Sequence, residues 1–180
     1  SCSKSNSKLC VPGLKVISLS TPKSAKGLIL SSIKDKNPVI IFEHRWLHDI
    51  KGHVPKKYYT TPLDKAQILK KGTDITLISS SYMIIECLRS ASILKDFSIN
   101  AEVVDIRSLR PLDINTLIKS VRKTKNTLIV DNGWMSYGIS SEIMARIFEN
   151  LTKKEKEFIS MSRIGPLESS VPSTRELAKY

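Results

Sequence analysis

The chain has 180 residues, the size of one globular domain with room for a smaller second unit. Its 41% hydrophobic and 26% charged residues are typical of a soluble globular protein that buries a core without a metal or disulfides. No apolar run approaches the ~20 residues that span a bilayer, so we expect no membrane partner.

The net charge of +12 makes an acidic partner, nucleic acid above all, the first hypothesis to test. Basic residues cluster within 119–125 and 153–156, on polar faces or ends of predicted amphipathic helices, where solvated charge is expected. Aromatic residues make up 6% of the chain and do not alternate with these lysines as stacking platforms would. Nucleic-acid binding is therefore not expected, and a non-catalytic basic binding module is kept as an alternative.

The three cysteines, Cys2, Cys10 and Cys87, form no CxxC pair and are odd in number. Free thiols in a reducing compartment are the simplest interpretation. The first ten residues have neither the apolar core nor the cleavage site of a secretory signal. We therefore expect a cytoplasmic location.

The first predicted elements form a short unit. Lys15–Ser18 is typical of a strand, and Thr21 and Pro22 suit the cap and the first turn of a helix. The continuous apolar run 38–42 predicts a strand covered on both faces. The apolar stripe of the helix is Ala25, Leu28, Ile29 and Ile33. Two strands and one helix cannot bury their own faces, so residues 1–62, with a linker from Glu43 to Pro62, are predicted to be the end of another domain.

A regular alternation of strands and helices follows from residue 63. The predicted strands are 66–70, 75–80, 101–106, 127–130 and 158–162. The predicted helices are 82–96, a helix capped by Asp113, and 137–151 with Phe148 on its apolar stripe, and Ser173 suits the cap of a short terminal helix. This order predicts a three-layer α/β domain over residues 63–180, with a mostly parallel sheet covered by helices on both sides.

Two groups of residues were considered for site chemistry. His44, His48 and His53 are the only histidines, and a helix would place the first two on one metal-binding face. Gly52 and Pro55 interrupt that segment, so a surface loop is favoured.

The second group lies where predicted strands end. Asp105 and Asp131 follow strands at the edge where open α/β sheets present ligands. Gly133 and Gly138 precede a helix N-terminus that could receive an anion, but the GxGxxG spacing is absent and a tight turn is favoured. Spacing alone assembles no base, nucleophile and orienting group.

The order of four segments resembles a known family. The segments are, in order, VPGLKVISLSTPKSAKGLILSSIKDKNPVIIFEHRWL, PLDKAQILKKGTDITLIS, AEVVDIRSLRPLDINTLIKSVRKT and DNGWMSYGISSEIMARI. They resemble the beta subunit of the decarboxylating component of pyruvate-type 2-oxo-acid dehydrogenase complexes, a member of the transketolase-like superfamily. The resemblance implies the last strands of a pyrimidine-binding domain followed by a transketolase C-terminal domain, which agrees with the boundary at residues 62 and 63.

The family uses thiamine diphosphate to decarboxylate a 2-oxo acid and passes the acyl group to a lipoyl arm. The glutamate that activates the cofactor lies upstream in relatives, and the magnesium diphosphate site belongs to the alpha subunit. The counterpart of the family's histidine region reads SCSKSNSKLCV, without a histidine. The resemblance therefore implies thiamine diphosphate and magnesium in the full enzyme, not bound by this chain alone, and no catalytic residue is carried over.

One family site maps onto this sequence. Relatives hold a structural potassium ion around an A-I-x-D-x-N sequence, which here reads S-I-K-D-K-N. The resemblance implies potassium bound by backbone oxygens of Ser32 and Ile33 together with Asp35 and Asn37, which suits a hard cation. A plain helix C-terminus is the alternative.

The partners implied are an alpha subunit and a second beta subunit. Docking onto an acyltransferase core is left open, because complex-forming relatives continue into a further helix after the last strand. The loop EHRWLH leaves the 2-oxo acid open, and a transketolase small chain acting on sugar phosphates is the alternative from the same superfamily. We also expect the chain to associate, because strands 15–18 and 38–42 lack sheet neighbours in the prediction.

Overall fold

A computed structural model describes residues 11–166, and the structural statements that follow concern those residues. The first unit contains β1 (Lys15–Ser18), α1 (Pro22–Lys34), β2 (Val39–Phe42) and one 3-10 turn, Arg45–Leu47. The second unit contains β3 (Gln67–Lys70), β4 (Ile75–Ser79), α2 (Met83–Asp96), β5 (Ala101–Asp105), β6 (Ser108–Arg110), α3 (Ile114–Thr124), β7 (Asn126–Val130), α4 (Ile139–Glu149), α5 (Lys153–Phe158) and β8 (Ser160–Ile164). The terminal helix predicted after Ser173 lies outside the described residues.

The second unit is built on a five-stranded sheet of order β3-β5-β4-β7-β8. β5, β4, β7 and β8 run parallel to one another, and β3 joins the edge antiparallel to β5. Parallel strands need crossover connections, and α2, α3, α4 and α5 supply them. The predicted α/β fold with a mostly parallel sheet is confirmed.

Successive residues of the central strand β4 contact opposite layers, because side chains alternate along a strand. Leu77 packs with Ile84, Cys87 and Ala91 of α2 on one face. Ile78 packs on the other face in the cluster that also contains Leu117, Val121, Ile143 and Ile147 of α3 and α4. The sheet is therefore covered on both faces, as the three-layer prediction requires. Burial raises the pKa of the Cys87 thiol to about 12, so this cysteine serves as an apolar core residue.

The first unit shares a strand with the second. Its sheet has the order β2-β1-β6, in which β1 and β2 are parallel and β6 is antiparallel to β1. The sequence analysis did not predict β6, because three residues before a proline carry no recognisable alternation. Its pairing with β1 links two segments that are about 90 residues apart in the chain.

The first helix begins as the sequence predicts. Thr21 accepts a hydrogen bond from the Ser24 backbone N–H in a capping box, and Pro22 occupies the first turn. The predicted apolar stripe is wrong at its end, because Ile33 is 75% exposed. Ile29 is also exposed, at 38%, and the buried residues of α1 are Ser24, Gly27 and Leu28, of which only Leu28 belongs to the predicted stripe.

The prediction of a second strand covered on both faces is also wrong. β2 has β1 as its neighbour on one side and forms the edge of its sheet within the described residues. Ile41 is 36% exposed although it belongs to a continuous apolar run, so the face of β2 that carries it is incompletely covered.

The predicted linker, residues 43–62, packs tightly against α1. Lys26 donates to the carbonyl oxygen of Pro55 at 2.7 Å, and the Thr61 N–H donates to the Gly27 carbonyl at 3.1 Å. A Cβ atom on Gly27 would lie 2.1 Å from Thr61 Oγ1, so glycine permits the close approach. The linker is therefore fixed to the helix that precedes it.

The last elements differ from the predicted boundaries. α4 is shorter than the predicted helix 137–151, and Phe148 is exposed rather than part of its buried stripe. Phe158 ends α5, which begins with a capping box formed by Thr152 and Glu155, so the last strand starts two residues later than predicted. The T-x-x-E sequence was the available signal for this helix. Within residues 11–166, none of the helices combines the length and apolarity that crossing a membrane requires.

Candidate functional site at the junction of the two units

The polar residues predicted at strand ends lie where the two units meet. Asp105 ends β5 and is fully buried, whereas Asp131 follows β7 and is partly exposed. Ser20, two residues after β1, reaches this carboxyl edge of the five-stranded sheet with its hydroxyl, and the Ser18 N–H donates to the Arg107 carbonyl just beyond β5. We call the group formed by Ser20, Asp105 and Arg107 the junction network.

The Asp105 carboxylate accepts hydrogen bonds from both units. Ser20 Oγ donates to Asp105 Oδ2, and the backbone N–H of Arg107 donates to Asp105 Oδ1 at 3.1 Å. Burial raises the pKa of Asp105 to about 6, although the Ser20 hydrogen bond and the Arg107 charge lower it in part. A carboxyl group with this environment is expected at a functional position, and here it connects β1 to β5.

Arg107 links its own segment to two others, residues 65–67 and β1. Its guanidinium donates to the carbonyl of Lys65 at 2.8 Å, to the carbonyl of Ala66 at 3.2 Å and to Gln67 Oε1 at 3.1 Å. Its own carbonyl accepts a 2.7 Å hydrogen bond from Ser18. Arg107 is 7% exposed and has a φ of 55°, so its backbone occupies a region that non-glycine residues rarely adopt. Sequence reasoning did not identify this residue; an arginine two residues after a buried strand ending in aspartate was the available signal.

Three aromatic side chains form a second contact between the units. The His44 ring stacks on Tyr82 with centroids 5.2 Å apart, and Trp46 meets both rings edge-on at 5.3 and 5.1 Å. His44 Nδ1 accepts from the Trp46 backbone N–H at 3.3 Å, and burial lowers the pKa of His44 below its usual value. Tyr82 immediately precedes α2, so this cluster attaches the start of the linker to the second unit.

The three histidines do not assemble a metal site. His44 belongs to the aromatic cluster, while His48 lies 3.6 Å from the Glu43 carboxylate. Residues 11–166 contain no group of three or more histidine, cysteine, aspartate or glutamate side chains placed to hold a metal. The surface-loop interpretation is therefore the one that the structure supports.

Asp131 occupies the helix N-terminus that was considered for an anion. Its Oδ1 accepts from the Gly133 N–H at 3.0 Å, and its Oδ2 accepts from the Ser140 N–H in the first turn of α4 at 3.2 Å. A Cβ atom on Gly138 would lie 2.3 Å from the Trp134 carbonyl oxygen. The glycines thus serve a tight turn, as favoured from the sequence, and a side chain of this protein supplies the anion.

The predicted potassium residues lie together at the C-terminal end of α1. Asp35 pairs with Lys15 and accepts from the Asn37 backbone N–H at 2.9 Å and the Asn37 side-chain amide at 3.2 Å. These contacts, the Lys15 hydrogen bond above all, lower the pKa of Asp35. The Ser32 carbonyl accepts a long 3.3 Å hydrogen bond from the Asp35 N–H. The carboxylate is thus committed to protein donors, and the potassium site stays a prediction.

Comparison with known proteins identifies the family to which this chain is similar. The model of the transketolase C-terminal domain matches residues 64–171. Beta subunits of the pyruvate dehydrogenase E1 component are 41% identical over 140 residues in Mesostigma viride, 42% over 137 residues in Bacillus subtilis (strain 168) and 39% over 142 residues in Homo sapiens. These matches cover 76% to 78% of this chain and 40% to 43% of the relatives, so the chain spans less than half of their length.

A solved structure supports the fold. A split gene transketolase, described as an inactive beta4 tetramer, superposes with a TM-score of 0.81 at 22% identity, over 100% of this chain and 57% of that one. The family model covers more than half of the chain, and the relatives match more than three quarters of it. The chain therefore belongs to the family of proteins that carry a transketolase C-terminal domain, and its predicted resemblance to the C-terminal section of pyruvate dehydrogenase beta subunits is confirmed.

Proposed function

We propose that this chain is the assembly section of a beta subunit in a thiamine-diphosphate-dependent 2-oxo-acid dehydrogenase of the pyruvate type. The observation that carries the proposal is its 39% to 42% identity to pyruvate dehydrogenase beta subunits. The junction network gives its polar groups a structural rather than a catalytic role, because they bond to one another across the two units. Substrate, partners and turnover of the whole enzyme belong to the proposal.

The described residues do not fit a magnesium diphosphate group. A magnesium site needs carboxylate or carbonyl oxygens that are open to the metal. Asp105 is committed to Ser20 and Arg107, and Asp131 to Gly133 and Ser140. We therefore assign thiamine diphosphate and magnesium to the complete enzyme and derive no step through them on these residues.

The partners in this proposal are an alpha subunit and a second beta subunit, within a cytoplasmic hetero-oligomer. Support comes from apolar side chains that the described residues leave exposed on the first unit, Ile33 at 75% and Ile41 at 36%. Exposed apolar side chains of this size are candidates for burial against a partner subunit. Docking onto an acyltransferase core is not part of the proposal.

The test is decarboxylation of a panel of 2-oxo acids by the complete beta subunit that carries this sequence, mixed with its cognate alpha subunit, thiamine diphosphate and magnesium. We expect a stable complex and turnover on one acid, lost when thiamine diphosphate is omitted. A stable complex that is silent on every acid but transfers two-carbon units between sugar phosphates would move the assignment to a transketolase small chain. Failure to form any complex would contradict both.

We also propose a potassium ion at the end of α1. The last carbonyls of a helix lack the usual i+4 partner within it, and that of Ser32 accepts a long 3.3 Å hydrogen bond from the Asp35 N–H, which leaves its second lone pair for a cation. Because Lys15 and Asn37 hold the Asp35 carboxylate, backbone oxygens would supply the ligands. At potassium roughly tenfold above its dissociation constant, the free energy of unfolding should rise by about 1.4 kcal/mol. Urea denaturation in potassium chloride and choline chloride at equal ionic strength measures this, and equal midpoints would contradict the site.

A further inference from the structure

A groove of about 490 Å³ lies between α4, α5 and β8, apart from the junction of the two units. Its volume falls within the range of small-molecule pockets in proteins. Its wall is mainly apolar. The apolar lining residues are Met144, Ala145, Phe148, Leu151, Ile159 and Met161.

Two cations border this apolar wall. Lys156 Nζ lies 4.1 Å from the centroid of the Phe148 ring. Arg163 Nη1 donates to the Met135 carbonyl at 2.8 Å and to Ser141 Oγ at 2.5 Å. Among the described residues, neither side chain belongs to an ion pair, and no carboxylate lines the groove. The groove therefore combines apolar surface with positive charge that the surrounding protein leaves unneutralised.

The charge and dimensions of the groove define a ligand class. Ser141 and Phe148 lie about two helical turns apart on α4, so the groove is ~11 Å long. Lys156 stands at the Phe148 end, where its ammonium has three donors and a ring as its neighbour. We propose that the groove binds a monoanionic amphiphile, a straight-chain carboxylate of about eight to twelve carbons, with its head at Lys156, roughly the first eight or nine carbons along the apolar wall and any remainder extending past it.

The experiment is calorimetric titration of the chain with dodecanoate below its micelle concentration. We expect saturable binding that Lys156→Met weakens at least tenfold, because methionine keeps the packing and removes the charge. Lys154→Met, an exposed lysine on the same helix, is the matched control and should stay within twofold of the unmodified chain. Ala145→Phe fills the groove from α4 without changing any charge, and it should abolish binding. Circular dichroism melting verifies that each variant is folded.

Four results would overturn the proposal. The first is an absence of saturable dodecanoate binding by the unmodified chain. Equal weakening in both lysine variants would mean general electrostatic attraction. If dodecyltrimethylammonium, a cation with the same tail, bound as tightly as dodecanoate, the apolar wall alone would determine the affinity and the positive charge of the groove would play no part. Binding that disappears as the protein concentration rises would assign the groove to a second copy of the chain.

Discussion

Replacing Arg107 by methionine is expected to lower the free energy of unfolding by about 2–3 kcal/mol, the cost of leaving buried carbonyl oxygens without their donors. The substitution removes the donors that serve the carbonyls of Lys65 and Ala66 and leaves them without a partner inside the protein. It also removes the charge that stabilises the buried Asp105 carboxylate. A loss of this size is typical of substitutions that break a buried hydrogen-bond network.

Urea denaturation followed by circular dichroism measures this effect. Arg89→Met is the matched control, because Arg89 forms an exposed i,i+3 ion pair with Glu86 whose loss should cost no more than about 0.5 kcal/mol. The two variants carry the same change of charge and side-chain type, so their difference isolates the junction. A loss below about 1 kcal/mol for Arg107→Met would mean that the network does not hold the two units together.

Local patterns predicted most of the second unit, and the reason is physical. β4, β5 and β7 are short apolar runs between amphipathic helices, and α3 begins at the capping aspartate that the sequence suggested. Each of these features is decided by residues close together in the chain. The mostly parallel direction follows from this alternation of strands and helices, whereas the strand order β3-β5-β4-β7-β8 was not predicted.

Features that depend on contacts between residues far apart in the chain were not predictable from the sequence. β6 forms because it pairs with the free edge of β1, and the sequence of Ser108–Arg110 contains no pattern that predicts this pairing. Phe148 fits the helical stripe of α4 by spacing, yet it borders an open groove rather than the core. Periodicity reports which side chains share a face, whereas burial depends on what covers that face.

The candidate site shows the same division. Asp105 and Asp131 were identified because carboxylates at the ends of parallel strands meet at one edge of a sheet. Their roles were not predictable, since Ser20 and the backbone of Arg107 reach Asp105 only through the tertiary fold. Asp131 instead accepts hydrogen bonds from the turn and helix that follow it. The two aspartates therefore have different structural roles, although their positions in the sequence pattern are similar.

Asp105 should also make the stability of the chain depend on pH in an unusual direction. Its folded-state pKa of about 6 lies above the ordinary value of 3.8, so the folded protein binds this proton more tightly than the unfolded chain does. The associated stability is fully present below the unfolded pKa and is lost as pH rises from about 4 through 6. Between pH 4 and 7 the loss amounts to about 2–3 kcal/mol.

Other carboxylates shift in the opposite sense, Glu155 to a pKa of about 2 through its hydrogen bond with Arg122, so total stability does not isolate Asp105. The difference in the free energy of unfolding between the unmodified chain and Asp105→Asn isolates the contribution of Asp105. Asparagine cannot ionise, so we expect the variant to gain about 2–3 kcal/mol relative to the unmodified chain as pH rises from 4 to 7. Urea denaturation across this range measures the difference.

Ser20→Ala tests the same group from the other unit. Its hydroxyl lowers the pKa of Asp105, so its removal should raise that pKa and move the pH-dependent loss of stability upward from pH 6. A constant difference between the unmodified chain and Asp105→Asn at every pH would show that Asp105 titrates alike in the folded and unfolded chain. The junction would then be more open to water than the buried network requires.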